Sequence, residues 1–285
     1  MAVLDLLENG DILMLALITG ACLGSFANML IHRLPEDEET VRTPSHCPHC
    51  GHRLKLLNLI PILSYIIQRG KCSFCHTPYG ARYLWVELAS TMLFGAVALL
   101  YGVTWLATIL CLTGLCLIVL IAIDLRHMLI PDAIQIPLIF LGIAHAYLLQ
   151  KDPLQVALLC AFGLALGFGL RALMQWWKKR EGLGLGDVKF MCVAGLFLDW
   201  NLIGPFYFIA GIAGILTVLA TGRDGEGHFP FGPALALSLF LCAAFPDAIS
   251  GQFQQMIEFV VEFSLANIDN GKMVHCLFHV ESCYA

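Results

Sequence analysis

Two aspartates sit where aspartates are unexpected. Asp124 closes the apolar run Cys116-Leu-Ile-Val-Leu-Ile-Ala-Ile123, and Asp187 stands in Gly182-Leu-Gly-Leu-Gly-Asp-Val-Lys189. An ionisable side chain at membrane depth is costly and is usually retained for function. Two carboxylates brought to one place cannot both ionise easily. They share a proton, and one then acts as base while the other acts as acid on a water molecule. This is the chemistry by which paired aspartates hydrolyse a peptide bond. Gly182, Gly184 and Gly186 would let a substrate backbone approach closely. The plainer reading is that each carboxylate caps a helix end, and Asp187, after its glycines, suits an N-cap.

A second set of residues points to metal. Cys47-Pro-His-Cys50 and Cys72-Ser-Phe-Cys75 are two pairs of the Cys-x-x-Cys type in one polar loop. Two such knuckles supply four thiolates, the tetrahedral set of a closed, structural zinc site. His46, His49, His52 and His76 are rival ligands or exposed neighbours. Of the remaining cysteines, Cys22, Cys111, Cys116, Cys160, Cys192 and Cys242 lie in apolar runs and read as small buried hydrophobes. Cys276 and Cys283 lie in the C-terminal tail.

Positioning these groups falls to a chain made for lipid. Of its 285 residues 59% are hydrophobic and only 13% are charged, against about 25% in soluble domains. Mean hydropathy is +0.79. A net charge of −5 gives no support to a nucleic-acid partner. Segments long enough to cross a bilayer fall near 12–31, 83–101, 104–124, 132–150, 155–175, 187–200, 202–221 and 231–247, which predicts an all-α polytopic membrane protein of about eight transmembrane helices. Residues 1–31 contain no Lys or Arg, so the first run reads as a retained span rather than a cleaved signal.

Charge orients the chain. Seven of its sixteen Lys and Arg residues, from Arg33 to Arg82, lie between the first two spans, which places that loop in the cytoplasm. Arg126, then Lys178, Lys179 and Arg180, then Arg223 follow alternate spans. Asp124 and Asp187 then meet the same membrane face, and the loop thiols stay reduced and free for metal. The expected divisions are a first transmembrane helix (1–31), a zinc-binding cytoplasmic loop domain (32–82), a transmembrane core (83–247) and an extracytoplasmic tail (248–285). In the tail, Gln254–Leu265 predicts a short helix at the membrane surface, and Cys276 and Cys283 are expected either to pair as a disulfide or to stay free in a disordered end.

The motifs together resemble the type IV prepilin peptidases. Gly184-Leu-Gly-Asp187 matches the Gly-x-Gly-Asp signature of a class of membrane aspartic proteases, and Asp124-Leu-Arg-His-Met-Leu-Ile-Pro-Asp132 resembles the family's other catalytic segment. Gly24-Ser-Phe-Ala-Asn28 is similar to its N-terminal signature, and Pro230-Phe-Gly-Pro-Ala-Leu-Ala236 also matches. By this resemblance Asp124 and Asp187 are the catalytic pair, with Asp132 as runner-up.

The resemblance implies a hydrolase of the bacterial inner membrane that removes basic leader peptides from prepilins or pseudopilins. It also implies N-methylation of the new N-terminus with S-adenosylmethionine, for which Gly24, Ser25, Asn28 and Glu87 are the candidate donor-binding residues. On physics alone Gly24 and Ser25 read as helix packing. Glu87 needs a partner, for which Arg33 and Arg82 are candidates. The acidic run Glu36-Asp-Glu-Glu39 is a candidate contact for a basic leader or else a solvated loop. A non-proteolytic transporter using the aspartates as ion ligands is the alternative, and no inverted repeat of interrupted helices favours it. A methyltransferase or a zinc-stabilised binding module without protease activity is a further rival.

Overall fold

The computed structural model describes residues 2–36, 49–53, 60–178, 183–221 and 229–269. Cys47, the run Asp37–Glu39, Gly182 and the tail cysteines Cys276 and Cys283 lie outside these residues. The described chain is helical: α1 Ala2–Arg33, α2 Leu63–Ile67, α3 Arg82–Tyr101, α4 Trp105–His127, α5 Asp132–Leu148, α6 Pro153–Lys178, α7 Leu185–Ala194, α8 Trp200–Thr221, α9 Gly232–Ala244 and α10 Pro246–Asp269. An isolated antiparallel bridge joins Lys71 to Pro78 in the loop between α1 and α3.

Five helices, α1, α3, α4, α6 and α8, are long and apolar enough to cross a membrane, and α9 with α10 makes a sixth crossing if the bent pair is taken as one span. The other segments expected to cross behave differently. The one predicted at 132–150 forms the shorter apolar helix α5, and that at 187–200 forms the ten-residue α7. The one at 231–247 ends at a 106° bend between α9 and α10. Hydropathy registers how apolar a segment is. It does not register whether lipid or other helices supply the apolar surroundings. The tail helix expected at Gln254–Leu265 is part of the longer α10.

Helix α4 is the centre of the bundle, packed against α1, α3, α5 and α9. Its buried residues Leu110, Thr113, Gly114, Leu117, Leu120, Ile123 and Asp124 recur every three or four positions, the period of one helix face. Asp124 is therefore the last member of an inward-facing stripe. Leu235 and Leu239 of α9, Phe206 of α8 and Phe190 of α7 meet that core fully buried. On the outside, Leu15, Ile18, Met92, Leu99, Phe140, Ile143, Ile215 and Leu219 are exposed. So broad an apolar exterior suits lipid and would be untenable in water. The protein is a multi-pass membrane protein.

Candidate active site

Each aspartate is aimed by the end of its helix. Thr104 caps α4 at its start, its side-chain oxygen accepting the Ala107 N–H at 3.0 Å. The helix stops after His127, where Met128 turns left-handed and donates its N–H to the Asp124 carbonyl at 2.9 Å. The Asp124 side chain is buried, and its Oδ2 accepts the backbone N–H of Gly232, the first residue of α9, at 2.9 Å. A Cβ on Gly232 would lie 2.7 Å from that oxygen, so a residue without one is required there.

Asp187 occupies the first turn of α7, after Gly184 at the N-cap. The Gly184 N–H donates back to the Asp187 carboxylate, which satisfies one of the free donors of a helix start. Asp187 is thus a carboxylate inside the first turn rather than the N-cap itself. Its Oδ1 is buried with no hydrogen-bond partner among the described residues. An orphaned carboxylate oxygen is expensive, and a pocket adjoins it.

That pocket, of about 360 Å³, is lined by both Asp124 and Asp187, with the turn Met128–Pro131, Asp132, the Gly184–Gly186 stretch and Lys189. The carboxylates of α4 and α7 act electrostatically on each other. Gly186 lies against Ile130, where a Cβ would come within 2.9 Å of the Ile130 Cβ. Gln135 of α5 donates to the Gly186 carbonyl at 3.4 Å. Asp132, at the rim, is more than half exposed, and both its oxygens are held by Lys189 Nζ, at 2.8 and 2.9 Å. Its charge is already matched. Lys189, Gln135 and Gly232 carry weight at this site that the sequence reading did not assign. Lys189, two residues after Asp187 at the start of an apolar helix, was the most detectable of them.

The metal candidates also converge. The ligand atoms of Cys50, Cys72 and Cys75 all lie within 4.8 Å of one another, close enough for one tetrahedral ion. Among the described residues no histidine joins the group, and the His52 ring lies on Phe74 with centroids 3.4 Å apart. The hairpin-like turn is closed by Cys72 N–H to Thr77 O and His76 N–H to Cys72 O, each 3.0 Å. Hydrogen bonds from the Thr77 hydroxyl and backbone, with smaller help from Cys72 and Cys50, bring the Cys75 thiol down to about 6. Thiolates are what a metal requires, so the residues present fit zinc.

The proposed methyl-donor quartet is less open. Gly24 faces α3 so closely that an added Cβ would overlap Ser90 Oγ and lie 2.9 Å from the Glu87 Cα. The buried Glu87 accepts the Ile62 N–H at 2.7 Å and the Ser25 hydroxyl, while Arg82 lies over the Tyr83 ring. Asn28 donates to the Tyr83 carbonyl at 2.9 Å, and only its Oδ1 lacks a partner among the described residues. These four residues pack α1 against α3 and tether the loop. Among the described residues they form no cradle for a nucleoside.

The profile of the Bacterial Peptidase A24 N-terminal domain matches residues 18–101, and that of the Type IV leader peptidase family matches residues 111–219. A prepilin leader peptidase/N-methyltransferase of Myxococcus xanthus (strain DK1622) is 40% identical over 217 residues, covering 73% of this chain and 64% of its own length. One from Burkholderia pseudomallei (strain K96243) is 33% identical over 262 residues, 81% of this chain and 84% of that one. One from Pseudomonas aeruginosa is 30% identical over 292 residues, covering 91% and 100% respectively. No solved structure matches.

Proposed function

This chain belongs to the type IV leader peptidase family, and from that premise we propose that it is a membrane-embedded aspartic endopeptidase whose catalytic residues are Asp124 and Asp187. Its substrates are prepilins or pseudopilins, and the bond cut is the one that releases their basic leader. The observation that carries this reading is that Asp124 and Asp187, on helices far apart in sequence, line one pocket. The buried, partnerless Oδ1 of Asp187 supports it as the atom that holds the shared proton.

In the proposed mechanism a water molecule sits between the carboxylates. Asp124 takes a proton from it, the resulting hydroxide attacks the scissile carbonyl carbon, and Asp187 gives its proton to the carbonyl oxygen. Collapse of the tetrahedral species breaks the C–N bond as Asp124 gives its proton to the leaving amine nitrogen and Asp187 takes one back from a hydroxyl of the gem-diol, which restores the dyad and leaves the new carboxyl group. The Gly232 N–H holds Asp124 in register throughout. Lys189 neutralises Asp132, which leaves the rim without a free negative charge to compete for protons. Asp132 supports the site and does not react.

The finer topology belongs to the same proposal. All eight apolar segments cross or enter the inner membrane, with α7 and α9 shielded by their neighbours and α5 facing lipid on one side. The loop 32–82 faces the cytoplasm and holds one structural zinc through Cys47, Cys50, Cys72 and Cys75. The relatives' name includes N-methyltransferase, and we extend that activity to this chain with S-adenosylmethionine as donor, without assigning the donor to the Gly24–Glu87 cluster.

The deciding experiment is a leader-cleavage assay on a prepilin, with wild type, Asp124→Asn, Asp187→Asn and the double variant. Residues sharing one proton act as a unit, so each single change should cost about as much as both together. Near-normal cleavage by either single variant would refute the assignment. A transporter would cleave with none of the four proteins.

A further inference from the structure

Cys160 and Cys192 depart from the expectation that the cysteines of the apolar runs are inert core residues. Cys160 lies on α6 and Cys192 on α7, both are only partly buried, and their thiols hydrogen-bond to each other. The helices are pinned together on either side of the pair. A Cβ added at Gly163 would lie 2.2 Å from the Met191 carbonyl oxygen and 3.3 Å from the Cys192 nitrogen. One added at Gly195 would lie 2.5 Å from the Cys160 nitrogen and 2.8 Å from its Cα. Backbones in such contact keep the two cysteines' main chains close together. A disulfide needs close Cα and Cβ positions, which two helices in backbone contact supply.

The pair also selects its chemistry. Both residues lie in apolar runs, and a charged aqueous reagent such as glutathione enters apolar surroundings poorly. A lipid-soluble two-electron oxidant can enter. We propose that Cys160 and Cys192 form a reversible redox site for a membrane quinone. The two thiols lose two electrons and two protons and form one S–S bond, while the quinone takes both electrons and both protons to become the hydroquinone. A dithiol reductant reverses the step and itself becomes a disulfide. Because Cys192 shares the ten-residue α7 with Asp187, the bridge fastens the helix of one pocket carboxylate to α6. Its effect on cleavage rests on the peptidase reading above, whereas the bridge itself does not.

The test uses the full chain in native membranes, exposed to a lipid-soluble naphthoquinone, blocked with a maleimide, digested and analysed by peptide mass spectrometry. A peptide linking Cys160 to Cys192 should form, vanish with dithiothreitol, and be absent from Cys160→Ser and Cys192→Ser. No linked peptide with the quinone overturns the proposal, even if copper phenanthroline produces one, since that would show proximity without quinone reactivity. Prepilin cleavage should fall roughly tenfold on oxidation, as expected for a small displacement of a reacting group, and recover on reduction. Cys160→Ser should keep its rate in both conditions. A bridge that forms with cleavage unchanged overturns its control of the pocket. Absence of cleavage in every protein, reduced or oxidised, would overturn the peptidase reading and leave the linked peptide standing.

Discussion

At the scale of single residues the pocket depends on contacts a fraction of an ångström wide. Gly232→Ala places a methyl 2.7 Å from Asp124 Oδ2 and 3.0 Å from its Cγ, so either the carboxylate or the start of α9 must move. Cleavage should fall by about a hundredfold, the cost of misplacing a reacting group by about an ångström, while insertion and yield remain near wild type. Unchanged kinetics in this variant would show that the Gly232 contact does not position Asp124. That Asp124 and Asp187 line one pocket and that Cys50, Cys72 and Cys75 converge was foreshadowed in the sequence, because their types and spacing are unusual for their surroundings. Gly232 and Gln135 were not, since their roles exist only once distant helices meet. The partner of Glu87 was missed for the same reason: it is the Ile62 N–H, a backbone group no charge pattern advertises.

At the scale of elements, α7 is too short to be held by its own hydrogen bonds, and its neighbours fix it. Lys151 Nζ donates to the Phe197 and Leu198 carbonyls beyond its C-terminal end at 2.8 and 3.1 Å, and glycine-lined contact with α6 fixes its side. Gly163→Ala forces a methyl to within 2.2 Å of backbone that has nowhere to go. Overpacking of this kind costs about 1–3 kcal/mol, so thermal unfolding in detergent should shift down by several degrees, and an unshifted curve would show that the contact can relax. The short helices explain where hydropathy and clear crossings part: α7 and α9 are apolar but sheltered by other helices, whereas α5 is short and keeps an apolar face with Phe140 and Ile143 exposed. The loop element predicts a pH effect. With its thiol lowered to about 6, Cys75 remains a thiolate above that pH and is protonated below it. Bound zinc holds the thiolate further still, so the metal should be retained at neutral pH and lost only on acidification below about pH 6, read by metal analysis after dialysis. Stripping the metal should lower the yield of folded protein while leaving bond cleavage in the surviving fraction intact.

At the scale of the whole molecule, the broad apolar exterior places the chain in a bilayer, and the basic loop predicts which way round it sits. If that loop faces the cytoplasm, a membrane-impermeant maleimide, applied after a membrane-permeant chelator has removed the metal from both samples, should label Cys50 and Cys75 in inverted vesicles and not in intact cells. Labelling in intact cells would reverse the orientation, and with it the membrane face assigned to the pocket. Architecture of this coarseness was readable from composition alone, because lipid imposes it on any chain that enters it. The convergence of α4, α7 and α9 on one pocket was not, because nothing in a linear hydropathy profile says which ends of which helices meet.

The hydrogen bond from Gly232 to Asp124 gives the protein a timetable. Synthesis runs from the N-terminus, so both aspartates leave the ribosome before the α9 backbone that holds one of them. At roughly 5–20 residues per second, the growing chain spends on the order of seconds with its carboxylates inserted and their framework incomplete. On the proposed assignment of the two aspartates, hydrolytic power then arrives only after α9 has been translated. An unfinished polypeptide is spared from acting on its membrane neighbours, and a product truncated before residue 229 would be an inert resident of the membrane rather than an ungoverned protease.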